Sequence, residues 1–346
     1  MKLIGKGLHF IAIMMLVGIY GSAQELVHQA RIESGLDGFF KSGNNGKVII
    51  SSAGVESKGG GAGITLWSGA DKRQTSVSVL KDFPEAERIH IWDTGVLPSG
   101  GFVVAGILEE PRTQGQRVKA RSVVLSYDAA GGLKEVWDVS PYTFHTITAD
   151  KDGNVFGFGE RADKPESARV SMVVKYSPQG ALLGEFLPRS LFLKTQDPAE
   201  TSAAVGSSRL QVGPDGSIVL YVAGTHELIS IPPYGGAIKR FRLDRALQAR
   251  AEFRGKEWIH MLSLLIEKDG SIVAHVVASD KHGTASRLVV VDRELSGIKA
   301  LSTGLSVGQL LGVDEGGNFI FHHASDAKTH AIERYKRASI IGNIPY

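Results

Sequence analysis

One phrase recurs six times along the chain and constrains the fold more than any other feature. It is a glycine-containing polar turn followed by a short β-branched or aromatic run: GNNGKVIIS, PSGGFVVAG, DKDGNVFGF, GPDGSIVLY, EKDGSIVAH and DEGGNFIFH. The aligned glycines are Gly46, Gly101, Gly153, Gly216, Gly270 and Gly317. Each phrase has the signature of a tight β-hairpin, in which glycine supplies the positive φ that other residues adopt only with strain. A second phrase follows most of the turns, as in VVLSYDAAG, MVVKYSPQG, LISIPPYGG and LVVVDRELSG, and reads as a strand ending in another turn. Two hairpins per unit of about 50 residues make four short antiparallel strands, and repetition of such units decides the architecture before any single motif does.

The expected fold is therefore all-β, a six-bladed β-propeller of four-stranded antiparallel blades. The D-x-G phrase with its apolar run, followed by the Y-D-x-x-G-like phrase, resembles the six-bladed propellers of the NHL-repeat and TolB-like kind. That resemblance spans nearly all the chain after its first segment and implies a fold, since unrelated activities share these motifs. Closure of the ring requires a partner for the last sheet's edge. Residues 24–35, containing ELVHQARIE, are read as a ring-closing strand, with the tail SIIGNIPY competing for the same edge.

The first 23 residues have the three-part layout of a secretory signal peptide: Lys2 and Lys6, an apolar run from about Leu8 to Tyr20, then Gly21, Ser22 and Ala23. The apolar run is short of the roughly 20 residues of a membrane span. Residues 24–346 are read as one propeller domain, secreted or periplasmic and monomeric, with no membrane association after cleavage. Zero cysteines leave stability to a conventional core and favour a bacterial periplasm or exterior. The formal charge of +3 falls with loss of Lys2 and Lys6, so nucleic acid is not an expected partner.

In such blades the first-to-second and third-to-fourth turns share one face, and these turns are short. The opposite connections, at residues 52–62, 107–121, 160–171, 188–207 and 244–257, are long, and binding on rigid scaffolds resides in loops of this kind. Eight residues before each aligned glycine stand Gly38, Asp93, His145, Ser208, Leu262 and Gln309, where each innermost strand begins at that face. Asp93, His145, Ser208 and Gln309, with His260 nearby, are the expected polar rim of the channel. Phe40, Ile147, Leu210, Leu264 and Leu311 form an expected apolar layer beneath it. Arg112, Arg117, Arg121, Arg250 and Arg254 give the loop face cationic character, interspersed with acids such as Glu109, Glu110 and Glu252.

Gluconolactonase-like propellers hold Ca²⁺ at the channel through carboxylates and amides, but Asp93 is the only carboxylate of this rim, a poor ligand count for a hard cation. No cofactor is expected, with Ca²⁺ kept as the one alternative. Asp150, Asp152 and Asn154 fail the calcium-loop pattern at Val155 and Arg161. His323 with His330 lacks a third ligand, and no serine nucleophile elbow is expected. Asp93 and His145 are the weak candidates for an acid/base pair. These features favour a recognition module that binds a protein, peptide or glycan through its loop face. The alternative is a metal-dependent hydrolase or lyase at the channel mouth, through Asp93, His145, Gln309 and His260.

Overall fold

The fold is that of a computed structural model, which describes residues 26–33, 39–43, 48–52, 54–60, 63–68, 74–111, 119–164, 167, 169–191, 204–233, 236–256, 258–281, 283–302, 308–324 and 329–341. The expected signal peptide, Arg112 and Arg117 lie outside the described residues.

The chain begins with β1 (Leu26–Glu33) and then lays down sheets in order. The first holds β2 (Phe39–Gly43), β3 (Val48–Ser52), β5 (Ile64–Ser68) and β6 (Gln74–Val77); between β3 and β5 lies β4 (Val55–Ser57). The second holds β7 (Arg88–Val96), β8 (Phe102–Glu109), β9 (Ala120–Tyr127) and β10 (Leu133–Asp138). The third holds β11 (Tyr142–Ala149), β12 (Val155–Arg161), β13 (Ser171–Tyr176) and β14 (Leu182–Pro188). The fourth holds β15 (Arg209–Val212), β16 (Ile218–Val222), β17 (Glu227–Ile231) and β18 (Lys239–Arg242). Next come β19 (Trp258–Ile266), β20 (Ile272–Asp280), β21 (Gly283–Val291) and β22 (Ile298–Leu301), and finally β23 (Gln309–Val313), β24 (Phe319–Ala324) and β25 (Thr329–Tyr335).

All of these pairings are antiparallel, and β1 returns to pair with β25 in the register Gln29↔Glu333, Ala30↔Ile332, Arg31↔Ala331. The first strand thus covers the edge that the last sheet would otherwise expose. The tail does not compete for that edge over its described part. Residues Arg337–Ile341 form a short helix whose Ile340 and Ile341 are buried against Phe319, Phe321 and Tyr335. Arg337 holds it there through two 2.8 Å hydrogen bonds to the Glu267 carboxylate.

The innermost strands β2, β7, β11, β15, β19 and β23 neighbour one another in that order, and β23 returns to β2. Antiparallel sheets arranged face to face around such a ring of inner strands make a β-propeller. The expectation of six four-stranded blades needs correction. Five sheets are four-stranded, and the remaining one has five strands because β4 adds to the inner edge of β7, with Val55↔His90, Glu56↔Ile89 and Ser57↔Arg88. The segment 52–62, expected as a plain loop, contains that strand. Its anchor is Glu56, which is 4% exposed and accepts hydrogen bonds from Gly63 N (3.1 Å), Ser78 Oγ (2.5 Å) and Val79 N (2.9 Å). A buried carboxylate with its lone pairs occupied is a strong local clamp.

The core consists of apolar clusters between neighbouring sheets. Ile50, Leu66 and Val77 of the first meet Ile89, Phe102 and Leu125 of the second, and Phe158 and Met172 of the third meet Leu220 and Ile229 of the fourth. Side chains as large as Phe102, Phe158, Tyr221 and Phe321 are fully buried, each stabilising the ring by roughly 1.5–3 kcal/mol.

Candidate functional site at the channel mouth

Strand alternation puts the β7–β8 type and β9–β10 type turns at one end of the ring and all other connections at the opposite end. Among the described residues the connections 97–101, 150–154, 213–217, 267–271 and 314–318 at the first end are short, and each closes with a backbone pair such as Asp150 N to Asn154 O at 2.9 Å. The opposite end carries the long segments 78–87, 110–119, 189–208 and 243–257, although 139–141 and 281–282 are short there too. Residues 78–87 were not foreseen as a long connection.

Each inner strand begins at the loop end, and there the channel opens into a cavity of about 540 Å³. Four inner strands carry a register irregularity in or beside its wall, between Ile91 and Asp93, Phe144 and Thr146, Met261 and Ser263, and Leu310 and Gly312. Such bulges interrupt strict alternation and re-aim side chains. They explain how consecutive residues, Ile91 to Asp93 and Leu262 to Leu265, all reach the cavity.

Asp93, His145, His260 and Gln309 all line this cavity, so four of the expected rim residues come together. Ser208 does not belong to the lining. It is 1% exposed, its hydroxyl donates to Ala204 O at 2.8 Å and it accepts from Ala223 N at 3.1 Å, fixing the turn before β15. Arg121 sits on β9, ion-paired to Glu85 at 3.2 Å and placed over the Phe83 ring. Arg250 donates to Ile298 O at 3.4 Å, and Arg254 is exposed; neither lines the cavity. The expected apolar layer is present: Phe40, Ile147, Leu210, Leu264 and Leu311 are all buried.

The partners of these side chains differ from the expected acid/base pairing of Asp93 with His145. Asp93 Oδ2 accepts from Lys41 Nζ at 2.5 Å and from Ile147 N at 2.8 Å. Lys41 also donates to Ile147 O at 3.2 Å. His145 Nε2 lies 3.3 Å from Glu160 Oε1, and its ring packs beside Trp92 with centroids 4.9 Å apart. His90 lies 3.2 Å from Glu109. Burial, and next the charge of Arg209, hold the His260 imidazole below the ordinary histidine range. Gln309 Nε2 donates to Leu262 O at 3.2 Å. Arg209 donates to the same carbonyl from Nε at 3.1 Å and to Ser208 O from Nη1 at 2.8 Å. Burial lowers its guanidinium pKa, opposed by the charge of Asp93.

Lys41, Trp92 and Arg209 are site residues that sequence reasoning missed. Trp92 was hidden by a one-residue alignment slip: Gly100, with φ 87°, takes the positive-φ position of its turn, not Gly101. Since Val96 pairs Phe102 as Ala149 pairs Val155, the equivalent of His145 is Trp92. Lys41 was visible as a cation in the apolar run FFKSG, and Arg209 as one beside Leu210.

Among the described residues no group of three or more His, Asp or Glu side chains is arranged to hold a metal ion. His322 stacks on Phe40 at 3.7 Å, and His323 pairs in register with Ala331. The string Gly304-Leu305-Ser306-Val307-Gly308 does carry G-x-S-x-G spacing, contrary to expectation. It precedes strand β23, whereas a nucleophile elbow joins a strand to a following helix, and residues 303–307 lie outside the described ones.

No family model matches the chain, and no curated protein matches it. Among solved structures it is similar to a streptogramin B lyase, at 10% identity over 90% of this chain and 100% of that one, with a TM-score of 0.48. It is similar also to a gluconolactonase from Xanthomonas campestris, at 12% identity over 90% and 91% of the two chains, with a TM-score of 0.49. A protein of unknown function from Bacteroides caccae matches at 13% identity over 69% and 90%, with a TM-score of 0.34. Likenesses this distant carry no argument about activity. The class rests on the chain's own topology: an all-β propeller of antiparallel blades.

Proposed function

We propose that this chain is a secreted or periplasmic recognition module that seats a group of a protein, peptide or glycan partner in the mouth of its channel. The five-stranded sheet then counts as the sixth blade of the ring. The observation that carries this reading is the 540 Å³ cavity at the loop-bearing end, within the range of specific ligand pockets and lined by polar groups from neighbouring inner strands. Trp92 and Val55, 41% and 47% exposed, give its lining an apolar shoulder.

The rival reading, a metal-dependent hydrolase or lyase, draws less support from the geometry. Asp93, the one carboxylate among the described residues lining the cavity, already accepts through Oδ2 from the Lys41 ammonium at 2.5 Å and from Ile147 N at 2.8 Å. Partner capture from an extract of the producing cells tests the recognition reading. Val55→Trp fills the mouth at a solvent-exposed position and should abolish capture, whereas charge removal at Arg250 and Arg254 should leave it unchanged. The reverse result would move binding from the cavity to the loops.

A further inference from the structure

Among the described residues, and histidines apart, one cation lining the cavity has no carboxylate of its own. Of the charged residues lining it, Lys41 and Asp93 neutralise each other at 2.5 Å, which leaves Arg209. Among the described residues no carboxylate lies within ion-pair distance of Arg209. Its two hydrogen bonds, from Nε and Nη1, go to the carbonyls of Leu262 and Ser208. Those bonds fix the plane of the guanidinium and leave Nη2 without an acceptor. The group is surrounded by protein yet opens on the cavity, and burial lowers its pKa, as expected of a desolvated charge without a partner.

A half-buried guanidinium held by carbonyl acceptors and open along one edge is suited to a planar anion. Histidines apart, the described residues lining the cavity carry a single excess positive charge, and Asp93 is near enough to act on Arg209, so a dianion such as phosphate would exceed the charge these side chains offer. Among the polar groups of the wall stand apolar side chains, Phe40, Val55, Trp92, Leu262 and Leu265. We infer that the channel mouth binds a monocarboxylate with an apolar body, its carboxylate on Arg209 and its body against Trp92. This rests on the recognition reading above and names the chemistry of the ligand. A free organic acid and the C-terminus of a peptide ending in an apolar residue share that chemistry.

Isothermal titration of the purified chain tests the assignment with four probes: 4-phenylbutyrate, N-acetyl-Gly-Phe, the C-terminal amide of that dipeptide, and maltotetraose. The expected result is binding of at least one acid, with the amide at least about tenfold weaker than the dipeptide acid if the peptide is the source, because a charge-assisted hydrogen bond is lost. Preference for 4-phenylbutyrate over the dipeptide acid identifies a free acid; the opposite order identifies a peptide terminus. Arg209→Gln should cost the acid about tenfold or more, and Arg209→Lys less, with melting temperatures recorded for both. The comparison of acid with amide on the unmutated chain stands even if a variant fails to fold. Equal binding of acid and amide, or undiminished acid affinity in a natively melting Arg209→Gln chain, overturns the carboxylate assignment. Binding of the amide or of maltotetraose without the acids, abolished by Val55→Trp, overturns it too while upholding recognition at the mouth. Absence of binding by all four probes removes the assignment and leaves the recognition reading to partner capture.

Discussion

The two ends of the ring are built by opposite means. At the turn end, most contacts are local: Asp128, Asp150, Asp215, Asp269, Asp292 and Asp314 each accept a backbone N–H two to four residues ahead, at 2.8–3.0 Å, while Arg337 to Glu267 and Arg293 to Asp215 are long-range exceptions. Positive-φ glycines at 153, 216, 270 and 317 finish the turns. At the loop end the contacts run between distant segments: Lys41 to Asp93, Glu56 to the residues at 78–80, and Gln309 to Leu262. A locally satisfied turn survives the loss of one acceptor, since water reaches the freed N–H. A buried long-range clamp does not have that recourse. The turn end is therefore expected to tolerate substitution, and the loop end to hold the strongly coupled residues.

The sharpest way to break this contrast is Glu56→Ala. It strips acceptors from the N–H groups of Gly63 and Val79 in a buried setting and should cost about 3 kcal/mol in denaturant unfolding. Exchange of the amides at 54–60 should accelerate as β4 leaves β7. A loss below about 1 kcal/mol would mean that the clamp is not what holds the strand.

Next in size is an acid effect from the interface between the last two sheets. His275, 1% exposed, accepts from Leu310 N at 3.2 Å on Nδ1 and therefore donates from Nε2 to Ser286 Oγ at 2.8 Å. Burial holds its pKa down to about 4. Above the unfolded value of about 6.5 both states are neutral and the group is silent. As pH falls from there towards 4 the unfolded chain takes up the proton first, so stability drops, by at most about 3 kcal/mol from this group, and then levels off. His226 and His260, also held low by burial, act in the same direction. Unfolding midpoints at pH 7 and pH 5 check this, and His275→Asn should reduce the difference.

A mutant cycle on Lys41→Met and Asp93→Asn should give a coupling of about 1 kcal/mol, more than an exposed surface pair because the Asp93 side chain is 10% exposed. A cycle closing to zero would make this contact no different from the surface pairs.

The same division explains what was legible beforehand. The turns could be read because Asp, Gly and the following apolar run are neighbours in sequence, and from them came the strands, the repeat and the apolar layer at Phe40, Leu210 and Leu311. Three rim residues, Asp93, His145 and Gln309, followed from counting back along the strands, and His260 was read as lying near them. Trp92 was lost because two adjacent glycines, Gly100 and Gly101, both fit the turn, and only the backbone tells which carries positive φ. Strand β4, the Lys41 to Asp93 pair and Arg209's place in the cavity depend on which blades meet, and Lys41 and Asp93 stand 52 residues apart. No local pattern records such a meeting.

The smallest expected effect comes from the turn end and sharpens the comparison by its smallness. Asp269 accepts from Ser271 N and Ser271 Oγ, both at 2.8 Å. Partial burial alone would raise the Asp269 pKa, but these hydrogen bonds outweigh it and hold the carboxyl below its ordinary value. A carboxylate favoured by the fold stabilises it above pH 4 and loses that contribution as the pH falls further, a window separate from that of His275. Asp269→Ala removes both bonds of an exposed side chain to Ser271, itself 2% exposed, and should cost about 1 kcal/mol; Asp269→Asn, which keeps an acceptor oxygen, should cost less. Neither should alter binding at the channel mouth, since no residue of this turn lines the cavity. A larger loss from Asp269→Ala than from Glu56→Ala, or a change in ligand affinity, would show that the two ends are coupled and that the division between them is wrong.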